Sequence, residues 1–499
     1  MEVIVGVGAV WVKRAGSFVG SLCQGELALT GAAAALYVGL LRASPDPVLT
    51  EMKKLKLTLV VFLVGAVVLL AACGDEGQDL QPLDILRFPT DMVLGGADGD
   101  VLYVVGANFD RRYAGGALHA IDLVALNEAV DAEPLGGVLE LGSIPWLGGV
   151  SIGSFGGRIA KARLDGDMER LFVPLRGEGA VAVIDGDGLG ELRCYPDGGL
   201  DCRPQAVVLP VSDDANIADP FAAAVSGGHV YVGALRIQRA GEGSEAPLNS
   251  AWLARVRVNE PEDVLLRPVG SMVTRDLVLG PSGARLYAIG SRTEPLAGEI
   301  RSFAAESFAA ERIPTEAKSL LGSAGSTDGR SLVFSREGSV AYALTRSPSA
   351  LVELDVGLLG AATLSVRGMI PLPEAPSRMV LLEEDGERLA VVTATEADAL
   401  VLVDLNRRKV VGVLDGTVCG NLQTPCPEGG RTAGSRDPST DVGIQPWAVL
   451  TVPRDGGGAR VWVASFADGA LRAVDIPDLR AAGQARVRAV VRTAKENGS

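Results

Sequence analysis

One pattern recurs seven times between residues 85 and 493, and it limits the folds open to this chain more than any other feature. A tight, Gly-containing turn is followed at once by a very apolar run. The turns are GGADGD (95–100), RLDGDM (163–168), SGGH (226–229), GPSGAR (280–285), SREGSV (335–340), EEDGER (383–388) and PRDGGGAR (453–460). The runs after them are VLYVVGA, RLFVPLR, VYVGALR, RLYAIGS, AYALTRS, LAVVTAT and VWVASFA. A third run often ends in Asp, as in ALHAIDL, AVAVIDG, LVELDV, LVLVDL and LRAVDI. This puts Asp122, Asp185, Asp355, Asp404 and Asp475 at strand ends.

Asp-Gly and Gly-Gly turns accept positive φ and so close hairpins between twisted strands. The second runs are apolar on both faces, which requires a covering layer on each side. The third runs are shorter and often alternate, the mark of a half-buried strand. A fourth, outer strand fits after each, in VLELGSI, QAVVLPV, LLRPVGS, AERIPTE, LSVRGMIPL, KVVGVLD and ARVRAVV. Four-stranded sheets that stack face to face close most simply into a ring. A pair of β-sandwiches or an eight-unit ring are the rival arrangements. The units resemble the blades of YVTN-type β-propellers over about residues 85–493. The fold expected is all-β, a propeller of seven four-stranded blades after an N-terminal signal helix.

Ahead of the repeats, residues 52–75 read MKKLKLTLVVFLVGAVVLLAACGD. Lys53, Lys54 and Lys56 precede an apolar run from Leu57 to Leu70. That run has the length of a signal-peptide core and is short for a membrane span. Leu70-Ala71-Ala72-Cys73 resembles the bacterial lipobox. The resemblance implies a signal peptide over 52–72 and lipidation, such as palmitate, at Cys73. Residues 73–84 then form an acidic tether, and 494–499 a tail. By resemblance to lipoprotein sorting, Gly74 implies outer-membrane delivery, which Asp75 leaves open. NFDRRYAGGALHAIDL (108–123) is similar to sequences in uncharacterised myxobacterial lipoproteins. Residues 1–51 have no domain pattern. They are either an over-extended start, with translation beginning at Met52, or a leader extension; the first fits better.

Four further cysteines pair by proximity, Cys194 with Cys202 and Cys419 with Cys426, in Gly- or Pro-rich intervals. Their even number fits an oxidising compartment. Zinc is disfavoured because no CxxC or neighbouring His is present. The net charge of −15 argues against nucleic acid. With only His119 and His229 available, most general-base and metal schemes lack their usual residue. Asp185-Gly186-Asp187-Gly188 lacks the other ligands of a calcium loop and reads as a turn. No metal or cofactor is expected.

In propellers, the loops joining second to third strands share one face with the loops joining successive blades. By this resemblance NFDRRY (108–113), RIQRAGEGSEAPLNS (236–250) and residues 419–447 gather at one mouth of the central channel. Asn108, Asp110, Arg111, Tyr113 and Trp447 are the candidate binding face. Loop capping by Asn108 and Asp110, and packing by Tyr113 and Trp447, are the structural alternatives. The function expected is a non-catalytic, lipid-anchored envelope module that binds or scaffolds a protein or glycan. A lactonase- or quinoprotein-like enzyme with a site in the channel is the alternative.

Overall fold

Side-chain alternation explains why the second runs are apolar on both faces. In the second strand of the first sheet, Val101–Gly106, Leu102 and Val104 point one way and Val101, Tyr103 and Val105 the other. Leu102 and Val104 pack with Trp462, Ala464, Leu471 and Ala473 of the last sheet. Val101, Tyr103 and Val105 pack with Leu171, Val173 and Ile184 of the next one. The structure, a computed structural model, describes residues 79–493 apart from short stretches at 144–145, 213–214, 240–248, 294–295, 307–316, 322–325, 357–363, 417–436 and 455–456. Across those residues, one apolar cluster fills each interface between successive sheets, and a seventh joins the last sheet to the first. The fold is therefore a closed seven-bladed β-propeller.

The first, channel-lining strands are Pro89–Gly95, Ala160–Arg163, Pro220–Ser226, Met272–Leu279, Gly329–Phe334, Pro376–Glu384 and Pro446–Pro453. Every one of the seven turns read from the sequence joins a first strand to a second. Asp385 and Gly386 both have positive φ, as do Gly227 and Gly228, which is the two-residue hairpin geometry expected of Asp-Gly and Gly-Gly.

Three details differ from the sequence reading. Most third strands do not alternate: Ala399–Asp404 is buried throughout, and Gly116–Asp122 is buried up to its last residue, whereas Ser349–Asp355 alternates in its second half. The buried ones are covered on both sides, as the second strands are. The alternation lies in the outer strands, such as Ser365–Pro371. VLELGSI is not the outer strand of blade 1; Trp146–Ile152 takes that place. Gly137–Glu140 instead runs parallel to Arg486–Arg492 as a fifth strand of blade 7. AERIPTE lies outside the described residues, and Ala317–Leu320 is the outer strand of blade 4.

The displaced strand belongs to a clasp. Asp122 caps the helix Leu123–Ala132, accepting from the Ala125 N–H at 2.9 Å. Leu123, Leu126 and Val130 of this helix enter the apolar cluster shared by blades 7 and 1. Arg460 of blade 7 lies beneath the helix. It donates to Asp475 Oδ1 at 2.8 Å, to Asp131 at 2.6 Å and to both the carbonyl and the side chain of Asn127. The clasp thus adds charge-assisted hydrogen bonds to apolar closure.

Residues 79–84, read as the end of a tether, lie against blade 1. Gln81 is buried and donates to the Ile85 carbonyl, and the Leu83 carbonyl meets His119 Nδ1 at 3.2 Å. Cys194 and Cys202 form a disulfide, which closes a small loop at the edge of blade 2. Cys73, the leader at 52–72, residues 1–51, Cys419, Cys426 and the tail at 494–499 lie outside the described residues. Among the described residues, no helix is long and apolar enough to cross a membrane.

Candidate functional site

Six of the seven first strands carry a bulge at the same place. Their ladders skip Thr90, Phe221, Arg275, Arg330, Ser377 and Trp447. A bulge leaves one residue unpaired and re-aims its side chain. Proline starts four of these strands, at Pro89, Pro220, Pro376 and Pro446, where a missing N–H is tolerated. Opposite the blade 4 bulge, only glycine fits at position 290. A Cβ there would lie 1.8 Å from the Val273 carbonyl oxygen.

The consequence is convergence. Phe221, Arg275, Arg330, Ser377 and Trp447 all line one cavity of about 150 Å³, together with Arg176, Leu235 and Arg378. The bulged residues lie near the starts of the first strands, and Arg176 and Leu235 belong to loops between second and third strands. The cavity therefore occupies the face where the sequence reading placed the polar and aromatic insertions.

A set of charged contacts, some made by the lining arginines themselves, links blades across the channel. Arg158, just before the first strand of blade 2, reaches Asp276 of blade 4. Arg378 of blade 6 approaches the same carboxylate at 3.8 Å. Asp276 also accepts from the backbone N–H groups of Leu277 at 2.8 Å and Leu332 at 3.2 Å, and Asp91 accepts from Ile159 at 2.8 Å. Around the wall, Arg330 pairs with Asp328, which Ser291 also approaches at 2.6 Å. Arg176 lies 3.4 Å from Asp219. Arg346 donates to Ser377 Oγ at 2.7 Å.

Positive charge is concentrated here in a chain that is acidic as a whole. Burial, and then repulsion from Arg378, pulls the Arg158 guanidinium down to about 9. Burial, and then Arg330, pulls Arg275 down to about 10. Burial also lowers Arg378 and Arg346. Arg378 is only 5% exposed, and no described group accepts a hydrogen bond from either of its terminal nitrogens. Arg275 Nε likewise has no acceptor. The Arg378 guanidinium lies 5.3 Å from the Phe221 ring centre, which offsets part of its burial cost.

An aromatic rim adjoins this cationic cavity on blades 7, 1 and 2. Trp447 lies 6.0 Å from Phe466, which lies 5.2 Å from Phe88 and 5.1 Å from Phe109. Phe109 meets Phe155 edge to face at 5.0 Å and is 44% exposed.

The sequence candidates divide between these regions. Trp447 lines the cavity. Asn108 is fully buried and cannot face a ligand; it donates to the Tyr113 carbonyl at 2.6 Å and accepts from the Tyr113 N–H at 3.1 Å. Asp110 pairs with Arg87, and Arg87 lies 5.5 Å from the Tyr113 ring centre. Arg111 has positive φ and lies over Phe155 at 5.5 Å. These four organise the rim and do not line the cavity. Arg275 and Arg330 were missed, although they hold the bulge position that Ser377 holds in the next blade; Arg378 stands one residue beyond that position. His119 is buried in blade 1 and held neutral, its pKa lowered to about 4 by burial. His229 stands at the start of a second strand, beside the turn that opens on the opposite face. Among the described residues no cluster of His, Cys, Asp and Glu could hold a metal ion.

No protein-family model matches this chain, and no curated protein matches it. Among solved structures, hydrazine synthase of Kuenenia stuttgartiensis is 13% identical, covering 78% of this chain and 96% of its own, with a TM-score of 0.49. The Swd1 β-propeller domain of Myceliophteria thermophila is 12% identical over 79% of this chain and 97% of its own, with a TM-score of 0.45. The periplasmic gluconolactonase of Pseudomonas aeruginosa is 14% identical over 81% of this chain and 86% of its own, with a TM-score of 0.38. At these identities the likeness is one of fold.

Proposed function

We propose that this chain is a lipid-anchored β-propeller of the cell envelope that binds a partner at the mouth of its central channel, without catalysis. The observation that carries the binding reading is the set of bulges. Five blades use the same backbone device to direct a side chain into one cavity. The polar groups gathered there are chiefly guanidiniums. Even where burial lowers them to about 9 and 10, Arg158 and Arg275 stay protonated at neutral pH. Such groups hold and orient a ligand; they do not exchange protons with it. Nothing in the site favours the lactonase- or quinoprotein-like alternative over this reading.

The anchor rests on the lipobox-like Leu70-Ala71-Ala72-Cys73 and on a disulfide in the body, which fits an exported protein. Two variants test the two halves. Cys73→Ser releases the protein from the membrane fraction; continued detergent-dependent fractionation refutes lipidation at this residue. Leu235→Trp fills the cavity and abolishes cross-linked capture of envelope components. Capture that is unchanged with a folded variant refutes binding at the mouth.

A further inference from the structure

We infer that the group received by the cavity is an oxyanion, a carboxylate or phosphate, carried on a sugar ring. This inference rests on the proposed binding role of the same mouth. Arg378 supplies the main argument. It is nearly fully buried and lines the cavity, and neither terminal nitrogen has an acceptor among the described residues. A buried charge without hydrogen-bond partners is costly, and here the carboxylate that would relieve it is already shared. Asp276, its nearest acid, also holds Arg158 and two backbone N–H groups. The other acids of the mouth are engaged as well, Asp328 by Arg330 and Ser291, and Asp219 by Arg176 and Arg236. Arg275 Nε adds another donor without an acceptor. Two oxygens of an anion would satisfy the fork of a guanidinium directly.

The sugar follows from the walls and the size. A volume of about 150 Å³ accommodates one charged head group with part of a ring, less than a whole drug-sized ligand. Phe221 and Trp447 flank it, and the aromatic rim continues outward from Trp447 through Phe466 and Phe109. The C–H face of a pyranose is apolar and flat enough to lie on such rings, while its charged substituent reaches the arginines.

Calorimetric titration of the purified full chain tests this, using galacturonate, glucose 6-phosphate, inorganic phosphate and glucose as probes. At least one anionic sugar binds, and glucose does not. Binding by only one of the two identifies the oxyanion as carboxylate or phosphate. Arg378→Met weakens the anionic sugar about 10- to 100-fold, and Arg378→Lys weakens it less. Trp447→Ala weakens the sugar and leaves inorganic phosphate unchanged. The melting temperature of each variant without ligand shows that it is folded. The inference is overturned if glucose binds as tightly as the anionic sugars, if Arg378→Met leaves their affinity intact, or if no anion binds. If no anion binds while Leu235→Trp still abolishes envelope capture, the anionic sugar is wrong and the binding mouth stands. Anion binding with unaltered capture separates the two in the opposite sense.

Discussion

Two buried arginines, Arg460 in the clasp and Arg378 in the channel, are almost equally hidden, with side chains 3% and 6% exposed. Their surroundings differ. Burial works against the charge of Arg460, but hydrogen bonds to Asp475 and Asp131 outweigh it and raise its pKa above the ordinary guanidinium value. Burial lowers Arg378, and Asp91 only partly opposes it. One site consumes its hydrogen-bonding capacity inside the protein, and the other keeps it facing a cavity. The contrast separates an arginine that holds the ring shut from one positioned to hold something else.

Stability measurements can break that contrast. Arg460→Met removes the hydrogen bonds that join Asp475 to Asp131 and Asn127, leaving the two carboxylates to the more exposed Arg454, and is expected to cost about 1.5–3 kcal/mol. Arg378→Met leaves Asp276 with Arg158 and two backbone donors, so the expected change is within about 1 kcal/mol in either direction. Denaturant titration of both variants checks this; equal losses would erase the distinction.

His119 offers a third buried polar group, one that avoids charge altogether. Its folded pKa of about 4 lies below its ordinary 6.5. Between those values the unfolded chain binds more protons, so stability rises with pH across pH 4 to 6.5 and is lost on acidification. The full effect is on the order of 3 kcal/mol. His119→Gln is expected to flatten that part of the stability–pH curve, and an unaltered slope would show that other groups govern it.

Asp131→Asn probes the clasp from its exposed side. Asp131 is half exposed, and Arg460 keeps Asp475, so the loss is expected to stay below about 1 kcal/mol. A loss as large as that of Arg460→Met would show that the helix, not the Asp475 pair, carries the clasp.

The sequence disclosed the ring better than the site for a physical reason. Hairpin turns such as EEDGER and doubly buried strands such as VLYVVGA are written in local composition, because positive φ and two-sided burial restrict residue choice. The disulfide of Cys194 and Cys202 was legible for the same reason, since the partners lie close in sequence. A bulge restricts residue choice weakly, and its effect depends on five blades at once. Trp447 stood out as a large aromatic, whereas Arg275 and Arg330 looked like ordinary surface arginines. The signal that was present is positional: Phe221, Ser377 and Trp447 each follow a strand-opening proline, and Arg275 and Arg330 hold the matching place. VLELGSI misled because its apolar pattern specifies a strand and does not specify which sheet receives it.

The clasp also sets an order of events. Residues 123–140 meet partners more than 300 positions later, such as Arg460 and Arg488. Contacts so distant in sequence carry a large loop-closure cost and form late. Until the last blade is present, Leu126, Val130 and the outward sides of Leu102 and Val104 have no cover. The half-finished protein therefore carries an adhesive edge throughout its synthesis, and closing the ring is also what makes it safe from its neighbours.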